Sequence, residues 1–586
     1  MSESKFVRAT TLAEVQEAGC MALQVNGHTV ALIAHGDEVY AVDNRCPHMG
    51  FPLDRGSVSN GILTCHWHHA RFDLATGGTF DPWADDARTF PVDIRDGEVW
   101  LDVTQSRDPV AHQRERLQVG LERNLSLVIG KASLVLADGQ QEARDPFRDG
   151  LEFGATYRRN GWGQGLTMHT CFMNLLPYLD HDDRPRALYH GLSAVAGDTA
   201  GAPPRFPIRP LPSDAPDLPT LKQWFRQFIE VRDAEGAERC IVSAIRAGAD
   251  HRQMADMLFA AITDHRYVDI GHPADFTNKA FEALDVAGWE YAETVLTSLV
   301  RGYAMGERME ESNSWRHPID LIAILEDAFE TLPSLSIAPD GDGDPWPGRD
   351  ELVSVLHGDD PQAIANALLA ALKEGASAVQ LAATVSYAAA LRIAHFHTSN
   401  EFSDWDTALH TFTFANAVEQ GLRRLLARPG AAQPPELLRG VFDAAMSIYL
   451  DRFLNIPAAR LPQAGQEHRR PQALLDELQT ALDRQQQVNH AGALVADYLY
   501  SGGDPDRLLA TLGHLLLRED RDFHTIQTVE AAFAQFQRLR GQEAGVHVLV
   551  AAARYLAAHS PTVRAQGQTY EIAHRLHRGD RIFEDS

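Results

Sequence analysis

Cysteine and histidine are concentrated in the segment CHWHHARFD, residues 65–73, where one Cys and three His fall within five positions. A second pair lies upstream as Cys46-x-His48, and sixteen residues separate it from Cys65-x-x-His68. Two thiolates and two imidazoles in paired segments can bind zinc. They can equally bind an iron–sulfur cluster in which cysteines ligate one iron and histidines the other. The residue types alone therefore predict a metal centre and leave these two alternatives.

The spacing of the four residues favours the iron–sulfur cluster. Zinc ribbons and fingers usually keep C-x2-C or H-x3-H units, whereas C-x-H with C-x-x-H is the arrangement of a Rieske [2Fe–2S] centre. Over about residues 5–106 the chain also resembles the Rieske ferredoxin family, on the motifs CPHMGFPLDRG and CHWHHARFDLATGG. The resemblance implies that Cys46 and Cys65 hold one iron, and that His48 and His68 hold the other. A zinc-stapled or metal-free β domain is the alternative.

The remaining two histidines of the second motif are not ligands according to this resemblance. We expect His66 and His69 to be exposed to solvent. The family usually has Gly after the second ligand histidine, where this chain has His69. This departure concerns the geometry of the loop and not the number of ligands.

Positions near the cluster predict its reduction potential. High-potential relatives of the cytochrome bc type have a loop-bridging disulfide, a Ser hydroxyl and a Tyr hydroxyl beside the cluster. The matching positions of this chain hold Phe51 and Trp67 for the two cysteines, Ala70 for the Ser and Phe72 for the Tyr. Hydrogen bonds to the cluster stabilise its more negative reduced state, so their loss predicts a potential at the low end of about −150 to +300 mV.

Short strands flank the two motifs. Residues 22–42 and 89–103 alternate apolar runs with turn sequences, among them Asn-Gly at 26–27 and Gly-Asp at 36–37. This pattern is typical of β-hairpins. We therefore expect residues 1–106 to form a small all-β Rieske domain.

The composition limits the partners and the location. The formal net charge is −27 over 586 residues, whereas nucleic-acid and anionic-membrane partners require clustered Lys and Arg. The start, MSESKFVRAT, lacks the features of a signal peptide, and no segment approaches the length of a membrane span, about 18 apolar residues. Five cysteines are few and odd in number, which argues against a disulfide framework and favours metal ligation by a spaced pair. We expect a cytoplasmic protein with no nucleic-acid or membrane partner.

The chain is too long for one hydrophobic core, since such cores stop growing near about 250 to 300 residues. Residues 107–220 are expected to form a helical connector with a Pro-rich crossover, and residues 221–586 a large all-α domain. The D-x-x-H-x4-H iron motif of Rieske oxygenases has no match, because Asp264-His265 with His272 has the wrong spacing. Residues 107–586 carry no motif of a family that we recognise.

Three segments of the helical region share an apolar approach, a Gly turn, a cap residue and an apolar helix. The cap residues Asp250, Ser377 and Asp504 are each 127 residues apart. Gln253 and Gln380 complete capping boxes in the first two segments, and a proline opens the third helix. Equal spacing predicts stacked helical repeats, with chance similarity among Ala-rich helices as the alternative. The predicted repeats are residues 240–365, 366–493 and 494–586.

Histidines occur at similar positions after each cap. His272, His397 and His524 lie 22, 20 and 20 residues beyond the three caps. Repeats arranged about one axis can direct equivalent side chains into one cavity. This spacing predicts a second metal site in the helical domain.

The sequence offers more candidate ligands than one metal ion requires. Asp406 and His410 are four residues apart and share a helical face, as a carboxylate that orients a ligand histidine would. Histidines with carboxylates and no thiolate suit non-haem iron, either with two His and one carboxylate or as a dinuclear site. We predict that the ligands include at least two of His272, His317, His395, His397 and His410. Nearby residues of the same segments are His265, Asp269, Glu310, Glu311 and Asp404.

Two functions of different classes fit these features. The first is an oxidoreductase of the monooxygenase or dioxygenase type, in which the cluster passes electrons to a non-haem iron that oxidises a small organic substrate with O2. No G-x-G-x-x-G fingerprint follows a strand, so the electrons must come from an external ferredoxin or flavin reductase. The second is a non-enzymatic electron carrier or redox sensor with a helical docking scaffold.

Overall fold

The computed structural model describes residues 6–104, 108–137, 143–212, 216–339, 346–427, 435–464, 469–580 and 582. The chain divides into two compact units, which we call the N-terminal unit (Met1–Pro146 with Ala565–Ser586) and the helical unit (Phe147–Arg564). The predicted order, a small all-β domain followed by a large all-α domain, is confirmed. The domain boundaries expected at 106 and 220 stay predictions, and they differ from the limits of these two units.

Ten strands of the described chain lie in the N-terminal unit. They are β1 (Val7–Thr11), β2 (Cys20–Val25), β3 (His28–His35), β4 (Glu38–Asp43), β5 (Ser57–Ser59), β6 (Ile62–Thr64), β7 (Arg71–Asp73), β8 (Thr89–Phe90), β9 (Val92–Arg95) and β10 (Glu98–Leu101). They form three antiparallel sheets with the orders β1-β10-β9, β2-β3-β4-β8 and β5-β6-β7. Asn26 and Gly27 join β2 to β3 with φ values of 47° and 84°, as the predicted two-residue hairpin turn requires.

The α-helices fill most of the remaining described chain. They are α1 (Leu12–Ala18), α2 (Pro109–Arg123), α3 (Ser126–Leu136), α4 (Arg144–Thr156), α5 (Gln164–Leu175), α6 (Arg184–Thr199), α7 (Leu218–Glu230), α8 (Ala234–Arg246), α9 (His251–Ile262), α10 (His272–Ala287), α11 (Ala292–Met305), α12 (Asn313–Arg316), α13 (Leu321–Thr331), α14 (Arg349–Leu356), α15 (Pro361–Lys373), α16 (Ala378–Ala394), α17 (Phe402–Leu426), α18 (Pro435–Leu450), α19 (Pro471–Ala481), α20 (Val488–Tyr500), α21 (Pro505–Leu517), α22 (Phe523–Arg538), α23 (Glu543–Ala558) and α24 (Ala565–His577). None of the described helices combines the length and apolar character that a membrane span requires.

The N-terminal unit contains helices as well as the β domain. The side chain of Asp108 caps α2, and a proline occupies the first helical position. α2 packs on α3, and α24 also packs on α3. A Cβ atom at Gly120 would lie only 2.9 Å from Cγ1 of Ile129, so glycine allows the close approach of α2 and α3.

The centre of the helical unit is formed by α5, α10, α17 and α22. α10 packs on α17, α17 on α22, α22 on α5, and α5 on α10. The predicted caps are present: Asp250 and Ser377 form capping boxes at the starts of α9 and α16, and Asp504 caps α21. Each of these three helices is followed by α10, α17 or α22 in turn. The capped segments therefore lead into three of the four central helices.

Candidate metal centres

Two loops of the β domain bring the proposed cluster ligands together. The first loop connects β4 to β5, and Cys46 N donates to the carbonyl of Phe51 at 2.8 Å. The second loop closes the β6–β7 hairpin, and Cys65 N donates to the carbonyl of Ala70 at 2.9 Å. In each loop, a backbone hydrogen bond from the cysteine to the residue five positions later therefore closes a turn. Both cysteines are buried, with 3% and 1% exposure.

The environment of the two sulfurs suits thiolate ligands. Backbone N–H groups of His48 and Met49 donate to Cys46, and those of Trp67 and His68 donate to Cys65. The Cys46 thiol donates to Cys65, and together with the two backbone donors it lowers the pKa of Cys65 to about 6. The Cys65 thiolate and burial raise the pKa of Cys46. One thiolate is therefore already formed at neutral pH, and thiolates are the form that binds iron.

The proposed histidine ligands face each other across the loops. The ring centroids of His48 and His68 are 4.9 Å apart in an edge-to-face arrangement. Burial lowers the pKa of His48 to about 4 and also lowers the pKa of His68. Both imidazoles are neutral at pH 7 and have a nitrogen lone pair available for iron. The two pairs of side chains fit a [2Fe–2S] cluster with cysteines on one iron and histidines on the other.

His66 and His69 lie on the outside of the second loop. Both are exposed, and the His66 Nε2 atom lies 2.9 Å from the Ser57 hydroxyl. His69 has a φ of 62°, in the left-handed region that glycine adopts most easily. This backbone conformation explains why the family usually has glycine there.

A second group of possible ligands lies in the helical unit, where His272, His410 and His524 converge. Ligand atoms of the three imidazoles all lie within 4.8 Å of one another, and no carboxylate or thiolate joins them among the described residues. His272 opens α10, His410 lies within α17 and His524 is the second residue of α22. We call this group the histidine triad.

The hydrogen bonds of the triad leave nitrogen lone pairs directed inward. His410 Nδ1 donates to the carbonyl of Asp406 at 2.5 Å, and His410 Nε2 lies 3.3 Å from His272 Nε2. His524 Nδ1 lies 3.2 Å from the Asp406 carboxylate, while its Nε2 atom is buried and has no hydrogen-bond partner. A cation bound by one nitrogen of each imidazole would give all three rings a partner, whereas one hydrogen bond joins only two of them.

Burial keeps the triad uncharged. It lowers the pKa of His272 to about 3 and that of His410 to about 4, and it lowers the pKa of His524 in the same direction. The neighbouring imidazoles add to the effect for His272 and His410 because like charges repel. Neutral imidazole is the form that binds a metal ion.

Asp406 has a different partner from the one that its spacing predicts. Its carboxylate is 4.0 Å from His410 Nδ1 but 3.2 Å from His524 Nδ1. On one helix the backbone carbonyl, and not the carboxylate, reaches the histidine four residues later. The carboxylate therefore orients His524 of α22, and the carbonyl orients His410. The carboxylate ligand expected in a two-His-one-carboxylate site is not part of the triad.

The backbone that leads into His272 is strained. Tyr267, Asp269 and Ile270 have φ values of 42°, 46° and 49°. A left-handed conformation costs about 1 to 2 kcal/mol for a residue other than glycine, and a β-branched residue such as Ile270 rarely adopts it. Strain of this kind is concentrated at functional sites.

The structure does not bring the other predicted histidines to the triad. His317 is exposed at the end of α12. His395 Nδ1 donates to the carbonyl of Ala459 at 2.7 Å, and His397 Nε2 donates to that of Pro457 at 2.8 Å. His265 Nε2 lies 2.9 Å from the Glu230 carboxylate, and its Nδ1 atom lies 2.6 Å from that of Glu310. The side chains of His265, His395 and His397 therefore have structural partners of their own.

His524 is the residue that the set of predicted ligands lacked. The repeat spacing pointed to it, together with His272 and His397, but α17 contributes His410 instead. His397 precedes α17, whereas His410 lies two turns inside it. The spacing after each cap predicted which helices follow one another. It did not predict at which residue of each helix the three helices contact one another.

The fold and the cysteine–histidine loops of residues 7–101 define an iron–sulfur electron-transfer domain of the Rieske class. The family model for the Rieske [2Fe-2S] domain matches residues 5–91. Through this segment the chain belongs to the Rieske [2Fe–2S] family, which implies a [2Fe–2S] cluster and electron transfer.

Relatives of this segment include components of dioxygenase systems. The ferredoxin component of the naphthalene 1,2-dioxygenase/salicylate 5-hydroxylase systems of Ralstonia sp. is 32% identical over 97 residues, 16% of this chain and 93% of that protein. The naphthalene 1,2-dioxygenase ferredoxin component of Pseudomonas putida is 30% identical over 101 residues, 17% of this chain and 97% of that protein. Human apoptosis-inducing factor 3 is 30% identical over 158 residues, 27% of this chain and 24% of that protein.

A solved structure is also similar to part of the chain. The ferredoxin of carbazole 1,9a-dioxygenase from Nocardioides aromaticivorans IC177 is 31% identical, with a TM-score of 0.16. The match covers 17% of this chain and 97% of that ferredoxin.

Proposed function

We propose that this protein is an oxidoreductase in which the Rieske domain supplies electrons to a non-haem iron bound by His272, His410 and His524. The observation that carries the proposal is the histidine triad, with its buried and unpartnered Nε2 atom on His524. Three imidazoles suit iron, zinc or copper. The electron-transfer domain in the same chain favours iron, because zinc has no redox chemistry.

The chemistry that we propose is O2-dependent oxidation of a small organic substrate. Iron held by three protein ligands would supply open coordination positions and electrons for O2. Asp406 fixes the ring orientation of His524 through its carboxylate and that of His410 through its carbonyl. The rings of Phe276 and Phe523 lie 5.3 Å and 5.6 Å from the His272 ring, between centroids, and exclude water from that side.

The electron donor in this proposal is an external ferredoxin or flavin reductase. A Rieske cluster accepts one electron at a time, and the sequence has no dinucleotide-binding fingerprint after a strand. The similar proteins of Ralstonia sp. and Pseudomonas putida are ferredoxin components of multi-protein dioxygenase systems. A component of that kind depends on other proteins for its electrons.

Metal analysis of anaerobically purified protein tests the triad. We expect about three irons per chain, two of them from the cluster. His410→Ala and His524→Ala should each remove the third iron and keep the Rieske EPR signal. His317→Ala, His395→Ala and His397→Ala are the matched controls and should keep all three irons. Two irons in the unmodified protein, or zinc at the triad, would contradict the oxygenase and leave the electron carrier or redox sensor.

Spectroscopy of single variants tests the proposed cluster ligands. We expect His48→Ala and Cys65→Ser to abolish the Rieske absorption and EPR spectra, because each removes one ligand. His66→Ala and His69→Ala should keep both spectra, since these side chains are exposed. Loss of the cluster in His69→Ala but not in His68→Ala would show that the ligand assignment is wrong.

A further inference from the structure

A lysine from outside the β domain contacts the first cluster loop. Lys131 lies on α3, and its Nζ atom donates to the carbonyl oxygens of Pro47 and His48, each at 2.6 Å. One of these carbonyls belongs to a proposed ligand, and the other belongs to the residue before it. The ammonium group is thus bound directly to the backbone that carries the histidine.

Other residues of the N-terminal unit fix α2 and α3 on this side of the β domain. Arg116 of α2 donates to the carbonyls of Pro82 and Ala84, both at 2.8 Å, and His112 lies 2.9 Å from the Asp85 carboxylate. Between these contacts, the ring centroid of Trp83 lies 4.7 Å from that of His48.

The last helix supports the same loop. α24 packs on α3, and Arg45 donates to the carbonyl of Asp580 at 3.0 Å. Several contacts therefore hold Lys131 at one position, and its charge has a fixed place beside the loop.

The two proposed histidine ligands consequently have different surroundings. His48 is half-buried between Trp83 and the loop that Lys131 holds, whereas His68 is exposed. Lys131 is itself half-buried, and its ammonium group contacts the carbonyls of this loop. Ionisable side chains near it include Asp85, Cys46, Arg116 and Arg45. The ammonium group of Lys131 therefore lies in a poorly solvated place beside the loop.

We propose that Lys131 is a positioning residue that raises the reduction potential of the Rieske cluster through its fixed positive charge. Reduction adds one electron, and hence one negative charge, to a cluster that already binds two thiolates. A positive charge at short range in a poorly solvated region stabilises the reduced state more than the oxidised state. The helices that follow the β domain thereby adjust the electron affinity of the cluster. This inference concerns the N-terminal unit and does not depend on the histidine triad.

Protein-film voltammetry of the full chain near neutral pH tests this role. Lys131→Met keeps the aliphatic length and removes the charge, so we expect its midpoint potential to fall. A tenfold shift of the equilibrium towards the oxidised cluster would correspond to about 59 mV for one electron. Lys131→Arg should keep the potential of the unmodified protein. Arg8→Met removes a charge from β1, which carries no proposed ligand, and should also leave the potential unchanged.

The EPR signal, measured on the same samples, separates tuning from folding. An unchanged potential in Lys131→Met with full cluster content would overturn the proposal. An equal fall in Lys131→Arg would overturn it too, because that variant keeps the charge. If Lys131→Met loses the cluster, Lys131→Gln provides a second neutral variant with a hydrogen-bond donor. Loss of the cluster in both neutral variants, with retention in Lys131→Arg, would assign Lys131 a structural role only.

Discussion

His69 has a backbone conformation that its side chain does not favour. It is exposed, its φ is 62°, and its position in the second cluster loop is one where relatives usually have glycine. The loop must turn sharply between Cys65 and Ala70, whose backbone groups are hydrogen-bonded. The left-handed residue allows that turn, at a cost of about 1 to 2 kcal/mol for a side chain with a Cβ atom.

Replacement of His69 by glycine should therefore stabilise the β domain. We expect His69→Gly to raise the free energy of unfolding by about 0.5 to 1 kcal/mol. This gain is smaller than the relieved strain, because glycine also has more conformational entropy in the unfolded chain, and that entropy opposes folding. Urea unfolding followed by the cluster absorption measures it. His66→Gly is the matched control on the same loop and should be destabilising, because no positive φ requires glycine there. A lower stability for His69→Gly than for the unmodified protein would contradict the strain argument.

Residues near the cluster predict its potential. Ala70 and Phe72 are fully buried and supply no hydroxyl to it. The rings of Phe51 and Trp67 lie 6.1 Å apart between centroids, at the positions where high-potential relatives have the loop-bridging disulfide. An aromatic contact thus joins the loops in place of a covalent bond.

We expect a midpoint potential towards the low end of the Rieske range, about −150 to +300 mV. The missing hydroxyl hydrogen bonds lower it, and Lys131 offsets part of that effect. Voltammetry near neutral pH measures the value directly. A midpoint above about +200 mV would contradict the ferredoxin-type assignment and the oxygenase proposal that depends on it.

Helix starts could be predicted from the sequence, but the meeting points of the helices could not. Asp250 and Ser377 form the predicted capping boxes because a cap depends only on residues three positions apart. The triad depends on how far α10, α17 and α22 slide along one another, which local patterns do not determine. The sequence did not predict the packing of α2, α3 and α24 beside the β domain either. That packing depends on individual contacts between residues distant in sequence, such as Lys131 with Pro47.

Asp406 connects two of the helices that carry the triad, and its carboxylate should determine metal affinity. It lies on α17 and orients His524 of α22. We expect Asp406→Asn to weaken metal binding at the triad by about 10- to 100-fold, as for other residues that orient ligand histidines. Metal titration of the apo protein measures the change. Asp404→Asn, on the same helix, is the matched control, because the Asp404 carboxylate accepts hydrogen bonds from Glu401 N and from the Asn400 side chain and is not part of the triad. Equal affinities for Asp406→Asn and the unmodified protein would exclude this role.

At the scale of the helical unit, a row of buried polar side chains follows α10 and α22 away from the triad. Beyond His272 and His524, Gln527 donates to Asp275, and Lys279 forms an ion pair with Glu530 at 2.5 Å. Asn174 of α5 donates to Glu530 at 2.9 Å. Lys279 and Asp275 are 1% and 2% exposed. The partners of these three contacts are 252, 251 and 356 positions apart in the chain, so sequence patterns gave no indication of the contacts.

The carboxyl group of Asp275 makes the stability of the helical unit depend on pH. Burial raises its pKa to about 8, from about 3.9 in an unfolded chain. Between these values the folded state keeps a proton that the unfolded state has lost. The free energy of unfolding must therefore fall as pH rises through this window, by up to about 1.4 kcal/mol per pH unit. Above about pH 8 the contribution of this group no longer changes.

Asp275→Asn should remove this dependence. The amide is isosteric and uncharged, it can accept the hydrogen bond from Gln527, and it offers a donor to the Gln527 Oε1 atom, which is buried and has no partner. We expect the variant to match the unmodified protein near pH 5 and to exceed its stability near pH 8. Urea unfolding followed by far-UV circular dichroism at several pH values measures the difference. Asp476→Asn makes the same change at an exposed position of α19 and should leave the pH dependence unaltered. Parallel curves for Asp275→Asn and the unmodified protein between pH 5 and pH 8 would show that Asp275 is not protonated in the folded state.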